Sequence, residues 1–256
     1  MALKIALCFS GQLREGYDKF FHDHFKELSY KYDIDVYGSF WSGADLSYFK
    51  LFYPDAYIET EDFKSWRESI RFLINEIKLP EPYASWEFKQ AAVNCNFYPM
   101  WYKIWRTNIL TKSKKYDIVV RARTDVNYSD LDFSLFDGIT IPKGHTIWGE
   151  YPKIIGINDV FAYGPPYYMD YYCSLYNYLR GYIKEGCPII PGEGLLTYHL
   201  KQQSIYLRRT NTLVYANGSQ TPYNAILDLE EPTIIQDSAD LVFNLTGYEK
   251  RFIVNQ

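Results

Sequence analysis

Short apolar runs alternate with amphipathic segments from the start of the chain, and this alternation constrains the fold more than any other feature. Residues 3–9 form a largely apolar run that ends at Ser10-Gly11-Gln12, a pattern typical of a buried parallel strand followed by a tight loop. Residues 17–32 place aromatic and aliphatic side chains near helical spacing, and residues 33–41 resemble a second strand. The beginning of the chain therefore predicts a β-α-β unit.

The same alternation continues downstream, where two prolines at Pro80 and Pro82 end an amphipathic segment. We predict strands over residues 55–59, 116–123, 139–142, 145–149, 157–163 and 206–214, and helices over 63–77, 100–115, 167–184 and 195–202. Strands alternating with helices indicate an α/β fold with a mostly parallel central sheet flanked by helices. We expect one domain over residues 1–256, with no internal repeat or linker.

Composition excludes some function classes and leaves others open. The net charge is −4 and the sequence has no long basic run, which argues against nucleic acid as a main partner. Aromatic residues reach 19%, including 26 Tyr, and such side chains suit sugar rings and nucleobases. An AT-rich coding sequence explains the same enrichment equally well, so composition alone does not decide the function.

The cysteines and the N-terminus bear on compartment. The four cysteines are scattered, with no CxxC pair or Cys/His cluster, so we expect reduced thiols and no structural zinc site. The apolar run at the N-terminus is too short for a signal peptide core or a membrane span. We therefore expect a cytoplasmic protein, in a bacterial cell or in the host cell of a virus, without a transmembrane segment.

The strongest local anomaly is the change from the apolar run at residues 118–120 to the motif Arg121-x-Arg123-x-Asp125-x-Asn127. Ligands of open α/β sheets collect at the carboxyl ends of strands. If the strand continued, Arg121, Arg123 and Asp125 would share one face. Arginine forks suit phosphates, and Asp125 with Asn127 offers hard oxygen ligands for a divalent cation. The alternative interpretation is a structural Arg–Asp salt bridge at a strand end.

The loop after the first strand is the second candidate. Gly11 permits a close backbone approach, Ser10 and Gln12 can hydrogen-bond a base or ribose, and Arg14 can reach a phosphate. An ordinary strand-to-helix turn explains the same residues. Lys103, on the helix before the Arg-rich strand, either faces a ligand or is solvated. The chain has no GxGxxG or Walker-type motif.

These motifs occur in an order that resembles a known family. The run Ile5 to Arg14, the strand after Asp35 and the Arg-x-Arg-x-Asp strand end are followed by Asn158-Asp159-Val160 and Pro191-Gly192-Glu193-Gly194. Together, over roughly residues 3–215, they look like small GT-A-type glycosyltransferases of bacterial surface-polysaccharide loci and large DNA viruses. The resemblance implies a GT-A-like, Rossmann-like domain. Its nucleotide-binding part would span roughly residues 1–130 and its acceptor side 131–215, followed by a tail at 216–256.

The resemblance also implies roles for individual residues. The donor would contact Ser10, Gly11, Gln12, Arg14, Lys103, Arg121, Arg123 and Asp125. A Mn²⁺ or Mg²⁺ ion would be held by Asp125, Asn127 and His199. Asn127 departs from the second Asp of an Asp-x-Asp motif, which leaves the metal dependence open, and a lone histidine on a Leu-rich helix is also typical of a packed core.

Glu193 and Asp159 are the candidate catalytic bases, because inverting transfer requires a carboxylate to take the proton of the attacking hydroxyl. Glu193 follows Pro-Gly at a predicted helix start, where the helix dipole alone also favours an acidic residue. Asp159 lies in an apolar segment that we predict to be a strand, and there it needs a partner.

We therefore expect a glycosyltransferase, most simply inverting, that moves a sugar from a nucleoside-diphosphate sugar to a hydroxyl of a glycan or glycoprotein. Two alternatives remain. One is a non-catalytic carbohydrate-binding or scaffold protein derived from a transferase. The other is a sugar nucleotidyltransferase, which shares the α/β layout but would bind a nucleoside triphosphate.

Overall fold

The structure is a computed structural model that describes residues 2–13, 19–72, 98–128, 131–142, 145–148, 154–184, 192–203, 205–210 and 214–216. The strands are β1 (Lys4–Gly11), β2 (Asp33–Trp41), β3 (Tyr57–Glu61), β4 (Ile118–Ala122), β5 (Val126–Tyr128), β6 (Ile139–Pro142), β7 (His145–Trp148), β8 (Ile154–Ile157), β9 (Phe161–Gly164), β10 (Leu207–Thr210) and β11 (Val214–Ala216). The helices are α1 (Lys19–Lys31), α2 (Ser47–Phe52), α3 (Phe63–Ser69), α4 (Tyr98–Leu110), α5 (Pro166–Cys173), α6 (Leu175–Lys184) and α7 (Gly192–Lys201).

Seven strands form the central sheet, in the order β3-β2-β1-β4-β9-β6-β10. The first four are parallel to one another, β9 is antiparallel to β4 and β6, and β10 is parallel to β6. The predicted α/β fold with a mostly parallel sheet flanked by helices is confirmed. None of the helices in the described part of the chain has the length and apolar character needed to cross a lipid bilayer.

Alternate side chains of the central strands enter two separate cores, as the period of a β-strand requires. On one face, Ala6 and Cys8 of β1 pack beneath α4, α5, α6 and α7. On the other face, Leu7 and Phe9 pack against Phe25 of α1 and residues of α2. Burial on both faces is why β1 is a continuous apolar run in the sequence.

The order of the strands creates a topological switch beside β1. The chain passes from β1 outward to β2 and β3 on one side, and then returns to place β4 on the other side. Two adjacent parallel strands whose connections leave in opposite directions open a gap beyond their carboxyl ends, which is where ligands bind in open α/β sheets. We call residues 10–12 and 121–125, which include the carboxyl ends of these two strands and the residues just beyond them, the switch-point edge.

Two predicted elements are each two elements in the structure. The strand predicted over 157–163 covers the last residue of β8, most of β9 and the non-strand residues 158–160 between them. There the Asn158 side-chain oxygen accepts a hydrogen bond from the Val160 backbone N–H at 2.9 Å. Such local bonds from an asparagine side chain to the backbone compete with the pairing of a sheet. The predicted helix over 167–184 consists of α5 and α6, which are separated at Ser174.

Other boundaries also differ from the prediction. The helix predicted over 100–115 begins at Tyr98 and ends at Leu110, followed by a 3₁₀ turn. The strand predicted over 206–214 is divided between β10 and β11, which pairs with β5 in a separate small sheet. Helix α3 begins as predicted at Phe63, because the Asp62 carboxylate accepts a hydrogen bond from the Ser65 N–H at 2.6 Å, but it ends at Ser69. The predicted end at residue 77 lies outside the described residues.

Candidate functional site

The carboxyl end of β1 is built as the sequence predicts, with a bend that glycine allows. Gly11 has φ of 101°, a conformation that residues with a Cβ rarely adopt. Ser10 is paired in register with Ser39 of β2, and its Oγ is buried without a hydrogen-bond partner among the described residues. A buried hydroxyl with no partner in the described part of the chain is a candidate position for a ligand group. Gln12 is exposed beside it, and Arg14 lies outside the described residues.

Arg121, at the end of β4, is almost completely buried, with 2% of its surface exposed. Its Nη1 donates a hydrogen bond to the Val160 carbonyl, whereas its Nε is buried without a partner in the described part of the chain. A buried guanidinium with an uncommitted donor is expensive to maintain and is uncommon in a purely structural role. Arg121 therefore contributes positive charge beneath the switch-point edge.

Arg123 and Asp125 form an ion pair with both ends of the carboxylate engaged. Arg123 Nε donates to Asp125 Oδ1 at 2.8 Å, and Arg123 Nη2 donates to Oδ2 at 2.6 Å. The predicted common strand face for Arg121, Arg123 and Asp125 is wrong, because β4 ends at Ala122 and the chain turns at Thr124 and Asp125. The turn lets the Arg123 fork reach back to a carboxylate only two residues away.

Asp159 reaches the same edge because β9 is antiparallel to β4. Phe161 at the start of β9 pairs with Ala122 at the end of β4, so the residues before β9 lie beside Arg121. Asp159 is 6% exposed and lies in the connection before β9, not within a strand as predicted. Burial raises the pKa of the Asp159 carboxyl, while the charges of Arg121 and Arg123 oppose that rise.

Glu193 lies in the first turn of α7, as predicted, and is half-buried. The Thr197 hydroxyl donates to the Glu193 backbone carbonyl at 2.8 Å and accepts a hydrogen bond from the Ile157 N–H at 3.0 Å. This link fixes the first turn of α7 against the end of β8, two residues before Asp159. The structure thus fixes the backbone of Glu193 close to the segment that leads to Asp159.

Lys103 has a different environment from either predicted one. It is fully buried, and its Nζ lies 3.3 Å from Glu61 Oε2 and 4.2 Å from the centre of the Trp41 ring. Burial lowers the pKa of Lys103, and the charge of Glu61 partly restores it. The prediction of direct donor contact is not supported by this position, because the ammonium is already paired.

Sequence reasoning missed the polar cluster around Lys103. Arg106 donates to both oxygens of Glu59, at 3.0 and 2.6 Å, and the Ser39 hydroxyl donates to the same carboxylate at 2.6 Å. Tyr102 donates to Glu61 at 3.0 Å. A cleft of about 310 Å³ is lined by Glu59, Thr60, Glu61, Tyr102 and Arg106. The available signals were the alternation of Glu59 with Glu61 on a predicted strand and the helical spacing of Lys103 with Arg106.

The prediction that His199 is a metal ligand is wrong. His199 is fully buried, its Nδ1 lies 2.8 Å from the Tyr182 hydroxyl, and its Nε2 lies 2.8 Å from the Tyr171 carbonyl. Its ring stacks on Tyr171 with centroids 4.1 Å apart. Both ring nitrogens are therefore used, and His199 is the packed core residue of the alternative interpretation.

The residues present do not fit the predicted metal site. Both oxygens of Asp125 accept hydrogen bonds from Arg123, His199 lies in the core, and the Asn127 side chain lies outside what the structure describes. Among the described residues, no group of three or more His, Cys, Asp or Glu side chains is arranged to hold a metal ion. We therefore derive no chemical step through a metal.

Comparisons with known proteins leave the family open. No protein-family model matches the sequence, and neither does any curated protein. Among solved structures, the chain is similar to a protein from Bacillus anthracis assigned as a glucose-1-phosphate thymidylyltransferase and crystallised in complex with a sucrose. The identity is 9%, the TM-score is 0.43, and the match covers 91% of this chain and 99% of the other. A likeness at this level carries no argument about function.

Proposed function

We propose that this chain is a nucleotide-sugar-dependent glycosyltransferase that binds its donor at the switch-point edge. The observation that carries the proposal is the convergence of Ser10, Arg121 and Arg123 at the topological switch of the sheet, with the carboxyls of Asp125 and Asp159 beside the two arginines. A nucleoside-diphosphate sugar requires a polar contact for the nucleoside, positive charge for the diphosphate and a base for the acceptor. Ser10 and the two arginines of the switch-point edge meet the first two requirements, and Glu193 is our candidate for the third.

The departing nucleoside diphosphate is the main charge that a site for this reaction must stabilise. In an inverting transfer, the acceptor hydroxyl oxygen attacks the anomeric carbon while the bond from that carbon to the phosphate oxygen breaks. Arg123 supplies the charge that neutralises the departing diphosphate, and Arg121 adds to the positive potential beneath it. Both guanidiniums are present before the donor binds, so the site needs little reorganisation.

Glu193 is our choice for the base that takes the acceptor proton, because it is half-buried in the first turn of α7, which Thr197 fixes against the end of β8. Asp159 is less accessible, at 6% exposed, and lies among the charges of Arg121 and Arg123. We assign Asp159 to positioning these guanidiniums. Glu193→Gln should therefore retain donor binding and lose transfer, whereas Asp159→Asn should weaken donor binding.

The first experiment is thermal unfolding of the wild-type chain with UDP, GDP, CDP and dTDP and their sugars, each in Mn²⁺ and in EDTA. Binding to the folded state raises the melting temperature. The positive nucleotide sugars then enter a donor hydrolysis and transfer assay with Glu193→Gln and the exposed control Glu68→Gln. If no nucleotide or nucleotide sugar raises the melting temperature, the proposal is wrong.

Two further assays separate the alternatives. A nucleotidyltransferase would release pyrophosphate from a nucleoside triphosphate and a sugar 1-phosphate, and the proposal predicts no pyrophosphate above the enzyme-free rate. A non-catalytic binding protein would bind glycans without hydrolysing or transferring any donor. Either result in place of donor turnover would replace the proposed function.

Ser10 provides a test that separates binding from folding. Its hydroxyl has no partner among the described residues, so Ser10→Ala should change the free energy of unfolding by less than about 0.5 kcal/mol. If the hydroxyl binds the nucleotide, the same substitution should weaken nucleotide affinity by about tenfold. Ser29→Ala, on the exposed side of α1, is the control and should change neither quantity.

A further inference from the structure

The Arg123–Asp125 pair leaves part of the Arg123 guanidinium uncommitted. A guanidinium has five N–H donors. Nε and one N–H of Nη2 are engaged with Asp125, and none of the described residues accepts from Nη1. The Arg123 side chain is 29% exposed, whereas that of Asp125 is 16% exposed. The cation is therefore the more accessible member of the pair.

This arrangement has the connectivity that a bridging metal would provide. A divalent cation in a diphosphate site bridges a protein carboxylate and the phosphate oxygens. Here a positive group already contacts both oxygens of that carboxylate, and its remaining donors suit the fork-like binding of a phosphate. A metal at Asp125 would first have to displace two charge-assisted hydrogen bonds, whereas a phosphate could join Arg123 without breaking either.

The local charge balance favours the same arrangement. Arg121 and Arg123 face the carboxyls of Asp125 and Asp159, and burial shifts Asp159 towards its neutral form. Burial therefore disfavours a second full negative charge beside the two guanidiniums. Arg123, with the Arg121 Nε that has no partner among the described residues behind it, attracts a diphosphate without any added cation.

We infer that Arg123 takes the place of the divalent cation. It bridges the Asp125 carboxylate and the nucleoside diphosphate, and Asp125 acts as a positioning residue for Arg123, not as a metal ligand. The inference rests on the proposed function, because it concerns how the same site holds the diphosphate of the donor. It reverses the expectation from the Asp-x-Asn sequence.

Isothermal titration of UDP and GDP into the wild-type chain, in excess EDTA and in excess Mn²⁺, tests the inference directly. The two dissociation constants for a nucleotide that binds should agree within about threefold. Arg123→Lys keeps the charge but loses the fork, and should weaken binding by about tenfold or more under both conditions. Asp125→Asn should weaken binding by about fivefold, equally with and without Mn²⁺.

Arg71→Ala is the matched control. Arg71 is also an arginine paired with a carboxylate, but its pair with Glu68 is exposed on the surface and does not belong to the switch-point edge. Thermal unfolding of each variant without nucleotide checks that it is folded. Arg123→Lys remains informative if Arg123→Ala fails to fold. Affinity that rises about a hundredfold with Mn²⁺, and loses this rise in Asp125→Asn, would overturn the inference and leave the proposed function intact. Absence of binding under every condition would overturn both.

Discussion

Arg123 holds both carboxylate oxygens of Asp125 from only two residues away, at 2.8 and 2.6 Å. Such a short-range fork is possible because the chain turns at Thr124 immediately after β4. It is the structural Arg–Asp salt bridge that the sequence left open as an alternative. The pair lies at the topological switch, where ligands bind in open α/β sheets, so a structural salt bridge and a ligand-binding role are compatible here.

The first prediction concerns the energy of this pair. Both side chains are partly buried, so the coupling should lie between that of a surface pair and that of a fully buried one. A double-mutant cycle with Arg123→Ala and Asp125→Asn should give about 1–2 kcal/mol by urea unfolding. Coupling near zero would mean that the pair does not hold in solution, and would remove the basis for Arg123 as a bridging group.

The second prediction is an asymmetry between Lys103 and Glu61. The Lys103 side chain is fully buried, whereas that of Glu61 is 38% exposed. Glu61→Gln should cost about 2 kcal/mol, because it removes the carboxylate that is paired with a buried ammonium. Lys103→Met should cost less than about 1 kcal/mol, because Met fills a similar volume and Glu61 keeps water and Tyr102 as partners. Chemical unfolding at neutral pH measures both, and the reverse order would show that Glu61 depends on Lys103.

The third prediction is that His199 makes the free energy of unfolding decrease at acidic pH. Burial lowers the pKa of His199 from 6.5 to about 4. Below pH 6.5 the unfolded chain binds a proton on this histidine more readily than the folded protein does. The free energy of unfolding should therefore be unaffected by His199 above pH 6.5, and should fall by up to about 3 kcal/mol as the pH drops towards 4. His199→Phe should be less stable at neutral pH, since it loses both hydrogen bonds, but should lack this acid-dependent loss. Urea unfolding across this pH range compares the two proteins, and parallel curves would contradict the prediction.

The fourth prediction has the opposite sign and concerns Asp159. Burial raises the pKa of this carboxyl above its ordinary value of 3.8, so the folded state binds the proton more tightly than the unfolded chain does. The wild-type protein should therefore lose stability relative to Asp159→Asn as the pH rises above about 4. The difference between the two unfolding free energies, measured from pH 4 to 8, tests this. A wild-type protein that gains stability relative to the variant would indicate an Asp159 carboxylate stabilised by Arg121.

Much of the central sheet could be predicted from the sequence. The bounds of β2 and β6 match the prediction, and β1 and β4 differ from it by only one or two residues at their ends. Strands β1, β4 and β6 are buried on both faces, or nearly so, and their largely apolar sequences follow directly from that burial. Elements interrupted by a polar side-chain contact were less predictable. Asn158 divides two strands through a hydrogen bond that hydrophobic pattern alone does not reveal.

In the candidate site, too, some features could be predicted from the sequence and others could not. The positions of Ser10 and Arg121 near one sheet edge follow from strand ends that the sequence marks, and the place of Glu193 in a first helical turn follows from the Pro-Gly before it. The partners of these and other polar side chains could not be predicted in this way. Lys103 contacts Glu61, which is 42 residues away in the sequence, and His199 contacts Tyr171, which is 28 residues away. Such partners are selected by how helices pack on the sheet, and the residue types alone are equally compatible with solvation or with ligand binding.

By itself, the sequence determined the alternation of strands and helices and the polar strand ends, because burial and chain bends depend on residues close together along the chain. Only the tertiary structure decided what each charged side chain does. It placed β4 beside β1 to form the topological switch, and it placed the His199 ring in the core. The turn after β4 also placed Asp125 where Arg123 can donate hydrogen bonds to both of its carboxylate oxygens. Asp125 therefore pairs with Arg123, because the fold places that guanidinium within hydrogen-bonding distance of both carboxylate oxygens.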